Sequence, residues 1–193
     1  MRFGLMLAAA VLGASTVAQA TATVGQAAPG FTLKDQDGAE VDLAKLRGKI
    51  VVLEWTNPDC PFAQRHAEAK TMSTLADRYR GKGVVWLGVD STSYLDAARD
   101  RAWRSEHELP YPVLDDHKGT VGTAYGAKTT PHMFVIDGSG TVVYAGAIDD
   151  DATGDKGKQA RNYVAEALDE VTAGQPVKLA ETKPYGCSVK YAK

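Results

Sequence analysis

Residues 51–62 read Val51-Val52-Leu53-Glu54-Trp55-Thr56-Asn57-Pro58-Asp59-Cys60-Pro61-Phe62. The apolar start is typical of a central strand that is buried on both faces. The Asn-Pro-Asp segment then marks a turn, and the proline after the cysteine suits the first position of a helix, because its missing N–H would have no partner there. The stretch therefore predicts a strand that passes into a helix with Cys60 at the junction.

The sequence on either side predicts alternating strands and helices. Less polar residues recur at intervals of three and four over 61–79, which favours one amphipathic helix, and a buried strand over 84–89 follows it. A strand–helix–strand unit implies parallel strands and a right-handed connection. The other expected elements are a hairpin around Asp37-Gly38, a helix over 94–108, an extended piece over 111–114, a brief helix over 120–125, a hairpin over 132–144 and a last helix over 161–172.

The two ends of the chain differ from this pattern. Residues 1–20 carry one charge, Arg2, then a short apolar run and small residues before a cleavage point, which predicts a secretory signal peptide. Residues 177–193 show no period, so we expect a mobile or loosely packed tail that carries Cys187. The prediction is one α/β domain over 21–176 between these two segments.

Composition restricts the class of partner. The formal net charge of −2 gives no indication of nucleic acid or of an anionic membrane. The apolar run in the leader is shorter than the roughly 20 residues that a spanning helix needs, and we expect no membrane span in the mature chain. Export would place the chain in an oxidising compartment, where two cysteines form a structural disulfide or a redox pair.

Cys60 and Cys187 are the two cysteines of the chain. The unpaired N–H groups and the positive end of a helix dipole lower the pKa of a thiol at a helix N-terminus, whereas the neighbouring Asp59 carboxylate opposes this. A Cys60 thiolate would attack a peroxide or a disulfide, and Cys187 could then resolve the product. A static bond between the two would also be useful, since closing so long a loop stabilises by roughly 4 to 5 kcal/mol.

The constellation resembles the thioredoxin fold: a strand–helix–strand half has a cysteine at its first junction, and a hairpin half is entered through Thr130-Pro131. The resemblance implies an α/β fold with a central mixed β-sheet flanked by helices, an N-terminal β-hairpin and a C-terminal tail extension. It also implies a cis peptide bond before Pro131 and backbone groups of Thr130 that bind an extended substrate. Asn57 to Phe62, together with Gly186-Cys187-Ser188-Val189-Lys190-Tyr191, is similar to exported, peroxiredoxin-like redoxins of the alkyl hydroperoxide reductase and thiol-specific antioxidant branch.

Two departures from these relatives bear on the chemistry. Thioredoxins carry Cys-x-x-Cys, but Ala63 stands at the second cysteine position, which excludes exchange by an adjacent pair. Peroxiredoxins carry Pro-x-x-x-Thr/Ser-x-x-Cys, but Leu53 and Asn57 occupy the first two of those positions. Asn57 can still donate a hydrogen bond to a peroxide or a thiolate, so we take it with Thr130 and Pro131 as a substrate-binding candidate.

Three further side chains are possible auxiliary residues. Trp55 is next to the turn and is either a core aromatic or a wall of the site. Arg65 would bring positive charge near the helix start unless it lies on a solvated face. His132 directly follows Pro131 and could contact the thiol or a metal, or be a structural histidine at a strand end.

The predicted function is that of an exported thiol-dependent oxidoreductase or antioxidant, with catalytic Cys60 and Cys187. We expect a peroxide or disulfide substrate, a thioredoxin-like protein or a small thiol as reductant, no cofactor and no resident metal. The resemblance places it in the bacterial periplasm. The alternatives are a copper-handling protein that uses Cys60, Cys187 and His132, and a non-catalytic peptide-binding module with a structural disulfide.

Overall fold

The computed structural model describes residues 21–192, so the predicted signal peptide lies outside the described residues. The strands are β1 (Thr32–Asp35), β2 (Glu40–Asp42), β3 (Ile50–Thr56), β4 (Val84–Asp90), β5 (Val113–Asp115), β6 (Thr129–Thr130), β7 (His132–Ile136), β8 (Val142–Gly146) and β9 (Cys187–Ser188). The helices are α1 (Pro61–Glu68), α2 (Thr71–Arg80), α3 (Ala97–Glu106), α4 (Thr120–Tyr125) and α5 (Tyr163–Thr172). Two short 3₁₀ helices cover Leu43–Leu46 and Gly157–Gln159.

Seven strands form one mixed sheet in the order β2-β1-β5-β4-β3-β7-β8. The pairs β3–β4 and β4–β5 are parallel, whereas β1–β2, β1–β5, β3–β7 and β7–β8 are antiparallel. This confirms the α/β class, the central mixed sheet and both predicted hairpins. Because β3, β4 and β5 are parallel, their carboxyl ends share one edge of the sheet, and the strand-to-helix junction at Cys60 lies at that edge.

Both faces of the sheet are covered, which is why β3 is apolar except at Glu54 and at its last residue, Thr56. Val52 packs on one face in a core cluster with residues of α1, α2 and α5, among them Tyr79 and Leu168. Trp55 packs on the other face with Phe134 of β7 and residues of α4. Alternate side chains of a strand point to opposite faces, so a single apolar run supplies both layers.

The prediction of one helix over 61–79 is wrong, because the chain breaks between α1 and α2. Lys70 lies at the break with φ of 53°, in the left-handed region, and serves as the N-cap of α2. Its ammonium group pairs with the exposed Glu108, at 3.0 Å. Since neither glycine nor proline occurs at this point, the periodic pattern continues through the break and conceals it.

The expectation of a loosely packed tail is also wrong. Cys187–Ser188 forms strand β9 and pairs antiparallel with β6, with Thr130 opposite Cys187. Backbone bonds continue downstream of β9, from Val189 N–H to Lys128 O at 3.1 Å and from Ser93 N–H to Lys190 O at 2.9 Å. The tail thus crosses the carboxyl edge of the sheet as an ordered segment. Within residues 21–192, no helix has the length and apolar character that crossing a bilayer requires.

Candidate active site

The turn before Cys60 is held by the backbone and side chain of Asn57. The Asn57 Oδ1 accepts a hydrogen bond from Asp59 N–H at 2.7 Å, and the Asn57 carbonyl accepts one from Cys60 N–H at 3.0 Å. Cys60 is the N-cap of α1, and Pro61 occupies the first turn as predicted. The buried Asn57 side chain therefore shapes the turn that leads to the thiol.

The structure brings Cys60 and Cys187 together although they are 127 residues apart in sequence. Both are free thiols, with their Sγ atoms 2.7 Å apart. Cys60 is 1% exposed, whereas Cys187 is partly exposed. The two sulfurs therefore differ in access: one is enclosed at the helix start, and the other lies on the tail at the protein surface.

Their surroundings move the two thiol pKa values in opposite directions. Burial raises the pKa of Cys60, but hydrogen bonds from the Cys187 thiol and from backbone N–H groups, including that of Ala63, outweigh it and leave the pKa below its ordinary value. Burial and the adjacent Cys60 raise the pKa of Cys187 to about 11. The pair thus favours a thiolate on Cys60 and a proton on Cys187, the charge state that a buried nucleophile at a helix N-terminus needs.

Thr130 and Pro131 lie beside the thiol, and the Thr130–Pro131 peptide bond is cis, as the resemblance implied. The Cys60 Sγ lies 3.0 Å from the Thr130 carbonyl oxygen. The backbone edge of Thr130, however, is occupied by the chain's own β9. The tail therefore holds the position that was predicted for an extended substrate.

Side chains anchor the tail on both sides of Cys187. Upstream, the Thr182 Oγ1 accepts from Ala147 N–H at 2.9 Å, and the Tyr185 hydroxyl lies 2.9 Å from His66 Nε2 and donates to Asp149. Downstream, the Tyr191 hydroxyl donates to Ala127 O at 2.9 Å. Because contacts flank the cysteine on both sides, the folded domain holds Cys187 in place beside Cys60.

The three auxiliary candidates lie in different surroundings. Trp55 is a core aromatic, fully buried, and its Nε1 donates to Ser91 Oγ at 3.0 Å. Arg65 turns to the loop that follows β8 and donates to the Asp151 carbonyl at 2.7 Å. His132 is buried, its Nδ1 accepts from Lys128 N–H at 3.2 Å, and burial lowers its pKa to about 4.

The copper set proposed from sequence does not converge. Among residues 21–192, one group of three potential metal-ligating side chains lies close enough together to hold an ion, and it contains neither cysteine nor His132. That group consists of Asp90, Asp100 and His117. Within the described part of the chain, the two thiols therefore come together without the third ligand that the copper hypothesis needed.

Glu54 is a buried polar residue to which the sequence reading gave no role. It lies on β3, 6% exposed, and its Oε2 accepts hydrogen bonds from Trp86 Nε1 and from the Tyr111 hydroxyl, each at 2.9 Å. Burial raises its pKa to about 7. The sequence does contain a signal for this contact: one acid within an apolar strand. A carboxyl group in such a strand needs hydrogen-bond donors on its own face of the sheet.

Gly186 allows the close approach of the tail, and Gly186→Ala is expected to weaken the docking of β9. Gly186 has φ of 134°, and a Cβ there would press into the Thr130 carbonyl oxygen and Pro131. Because docking supplies the proximity of the two sulfurs, the rate of Cys60–Cys187 bond formation should fall about tenfold or more. Stopped-flow quenching followed by mass spectrometry measures this rate.

Gly174→Ala is the matched control for that variant. Gly174 also has a positive φ, of 69°, but no atom lies within 4 Å of the added Cβ. It therefore carries the backbone strain without the clash at Thr130. Equal rates of bond formation in the two variants would contradict a role for close tail docking.

The comparisons with known proteins agree with this geometry. The AhpC/TSA family profile matches residues 24–145, well over half of the chain, so the chain belongs to the AhpC/TSA family. The thioredoxin-like fold and the redoxin class predicted from sequence are thereby confirmed. Family membership supports thiol redox chemistry of the thiol-disulfide oxidoreductase and peroxiredoxin kind.

The individual relatives include both a thiol-disulfide oxidoreductase and a peroxiredoxin. The chain is 27% identical over 149 residues to the thiol-disulfide oxidoreductase ResA of Bacillus thuringiensis, covering 77% of this chain and 79% of the relative. It is 34% identical over 128 residues to chloroplastic peroxiredoxin Q of Triticum aestivum, covering 62% and 57%. A hypothetical protein of Sinorhizobium meliloti has a solved structure that matches with a TM-score of 0.78 and 26% identity, over 89% of this chain and 96% of that one.

Proposed function

We propose that this protein is an exported thiol–disulfide oxidoreductase in which Cys60 is the nucleophile and Cys187 the resolving thiol. The observation that carries the proposal is the placement of the two free sulfurs 2.7 Å apart by pairing of β9 with β6. A redox pair requires two thiols within bonding reach and a difference in their acidity. The geometry supports the first, and the opposite pKa directions of the two thiols support the second.

The oxidative half-cycle consists of two exchange steps. The Cys60 thiolate attacks one sulfur of a substrate disulfide, forming a mixed disulfide and releasing the other substrate sulfur as a thiolate. Cys187 then loses its proton and attacks the Cys60 sulfur, which forms the Cys60–Cys187 bond and releases the second substrate thiolate. The substrate disulfide gains two electrons, and the two cysteines lose them.

The reductive half-cycle starts at the accessible sulfur. A reductant thiolate attacks the partly exposed Cys187 sulfur, and Cys60 leaves as the more acidic and therefore better leaving thiolate. A second thiol of the reductant then breaks the mixed disulfide and returns Cys187 to its thiol form. A thioredoxin-like dithiol protein, or two molecules of a small thiol, fits this requirement.

Peroxide reduction is a second candidate, favoured by the burial of Cys60. A hydroperoxide is small enough to reach a 1% exposed sulfur without displacing the tail, whereas a protein disulfide must displace β9 from Thr130. Attack on the O–O bond would give a Cys60 sulfenic acid and release the other oxygen as an alcohol, or as water from hydrogen peroxide; Cys187 would then condense with the sulfenic acid and release water. Asn57 and Leu53 in place of the peroxiredoxin Thr/Ser and Pro count against this candidate.

We infer the site of action from the predicted leader. Cleavage after Ala20 would leave a mature chain that begins just before the first described elements, with the domain over 21–176 and the tail over 177–193. Export to the bacterial periplasm would place the pair among oxidised thiols and their reductants. The non-catalytic alternative needs the same Cys60–Cys187 bond, so the two hypotheses differ in how easily that bond is reduced.

The test is the reaction of the reduced, leaderless protein with one equivalent of hydrogen peroxide and, in parallel, one equivalent of a peptide disulfide. Intact mass and peptide mapping then follow the Cys60–Cys187 linkage with time. Fast loss of two hydrogens with the peptide disulfide supports exchange, and fast loss with peroxide supports the peroxidase candidate. Inertness to both overturns the proposal.

A redox titration of the same pair separates a cycling bond from a structural one. A reduction potential near roughly −200 mV is that of a bond that cycles, whereas a value below about −300 mV is that of a structural disulfide. The first value is the expected one, because the tail at Cys187 is partly exposed. The second would favour the non-catalytic module.

A further inference from the structure

Three ligand-type side chains, none of them a cysteine, converge at the carboxyl edge of the sheet. Asp90 ends β4, Asp100 lies in the first turn of α3, and His117 follows β5. The His117 Nε2 lies 3.3 Å from Asp100 Oδ2 and 3.8 Å from Asp90 Oδ2. One donor atom from each residue lies within 4.8 Å of the other two.

The facing atoms of this cluster have no hydrogen-bond partners. Asp90 and Asp100 are fully buried, and Asp90 Oδ2, both Asp100 oxygens and His117 Nε2 are buried without an aligned donor or acceptor. Asp90 Oδ1, by contrast, accepts from Thr92 N–H at 2.7 Å. Leaving two buried carboxylates opposite each other is costly, so they need a shared cation, which is either a protonated His117 ring or a bound metal ion.

The outer contact of His117 orients its ring toward the same point. The His117 Nδ1 lies 2.8 Å from the carboxylate of Asp115, which is partly exposed. With Nδ1–H held by the Asp115 carboxylate, Nε2 is the ring nitrogen that faces Asp90 and Asp100, and a metal ion that displaces the Nε2 proton would complete the carboxylate–histidine arrangement that supports a metal ligand. Once that proton is displaced, the ring offers a lone pair where the two carboxylates offer negative charge.

We infer that Asp90, Asp100 and His117 form a binding site for a divalent first-row metal ion, with Zn²⁺ as the best fit. Bonds of 2.0–2.2 Å to imidazole nitrogen and carboxylate oxygen place neighbouring tetrahedral donors about 3.3 Å apart. The distance from His117 Nε2 to Asp100 Oδ2, 3.3 Å, equals that value, and the distance to Asp90 Oδ2, 3.8 Å, exceeds it, so Asp90 must move inward to complete the set. The donors are one nitrogen and two oxygens, which disfavours Cu(I), and they are too few for Ca²⁺.

This ion would add a direct link between α3 and the paired ends of β4 and β5, next to the junction at Cys60. Arg99, the neighbour of Asp100 on α3, already reaches Asp59 with a nitrogen–oxygen distance of 3.9 Å. The site does not use the cysteines, so it is independent of the proposed redox cycle and can be tested without it.

The experiment uses the leaderless Cys60→Ser/Cys187→Ser protein after chelator treatment, so that thiolates cannot bind the probe. Zn²⁺ alone is titrated in competition with a chromophoric chelator, and Co²⁺ absorption reports the ligand geometry. We expect one ion per chain and a higher melting temperature with Zn²⁺. His117→Gln should raise the Zn²⁺ dissociation constant at least a hundredfold, and Asp115→Asn about 10- to 100-fold.

His107→Gln is the matched histidine control, because His107 lies at the C-terminus of α3 and stacks on Trp103 instead of entering the cluster. Its affinity for Zn²⁺ should equal that of the parent. Asp115→Asn keeps the test decisive if His117→Gln fails to fold, since it removes only the outer contact. The inference is overturned if the parent does not bind one Zn²⁺ per chain, or if the parent and folded His117→Gln bind Zn²⁺ with equal affinity. It is also overturned if ¹⁵N NMR shows a doubly protonated His117 ring in excess Zn²⁺.

Discussion

Cys60→Ser is expected to lower the turnover of a disulfide or peroxide substrate by about a thousandfold or more, because it removes the nucleophile. A serine hydroxyl does not ionise under the conditions that produce a thiolate at the N-terminus of α1. The surroundings of the residue, including the Thr130 carbonyl 3.0 Å away, can accept a hydroxyl donor. The fold should therefore remain, and steady-state consumption of the reductant measures the loss.

Cys187→Ser is the matched comparison, because the two variants remove opposite partners of one pair. In Cys187→Ser the first step still occurs, so a mixed disulfide or a sulfenic acid should accumulate on Cys60 and be visible by intact mass. In Cys60→Ser no adduct should form at either position. Retained turnover in Cys60→Ser, or an adduct on Cys187 in that variant, would show that the roles are assigned wrongly.

Much of this site could be predicted from local sequence. The junction at Cys60 is encoded by adjacent residues: the apolar strand, the Asn-Pro-Asp turn and a proline suited to the helix start. The hairpins are also local, since Asp37-Gly38 and the turn between β7 and β8 lie next to the strands that they join. Signals of this kind act within a few residues, so a single sequence contains them in full.

The docked tail could not be predicted in the same way. Its pairing involves two residues, Thr130 with Cys187 and Thr129 with Ser188, and the anchors at Tyr185 and Tyr191 reach partners far away in sequence. No periodicity marks so short a strand. What orders it is the backbone edge that β6 exposes, which exists only after the rest of the domain has folded.

The cluster at Asp90, Asp100 and His117 shows the same limit. Asp90 was recognisable as the residue that ends the second buried strand, but the other two come from a helix face and from the loop after β5. Their spacings of 10 and 17 residues match no ligand motif. Only the parallel order of β4 and β5 brings them to one edge of the sheet.

Glu54→Gln is expected to stabilise the protein at pH 8 by about 3 kcal/mol and to change little at pH 4. Burial raises the folded-state pKa of Glu54 from 4.5 to about 7, so the folded protein holds a proton that the unfolded chain releases. Stability from this group is therefore fully present below about pH 4.5 and is lost as the pH rises through about 7. A neutral glutamine keeps an oxygen acceptor for Trp86 and Tyr111 and has no proton to lose.

Urea unfolding of wild type and Glu54→Gln between pH 4 and pH 9 measures the effect as the difference between the two curves, which cancels titrations that both proteins share. Glu40→Gln is the control for loss of one carboxylate, since Glu40 is exposed on β2. A difference between wild type and Glu54→Gln that stays constant with pH would contradict the shifted pKa. A difference that appears between pH 5 and pH 7 would show that Glu54 is protonated in the folded protein at mildly acidic pH. At higher pH its ionised carboxylate would then lower the free energy of unfolding. Glu54 lies on the sheet face whose core cluster includes Cys60.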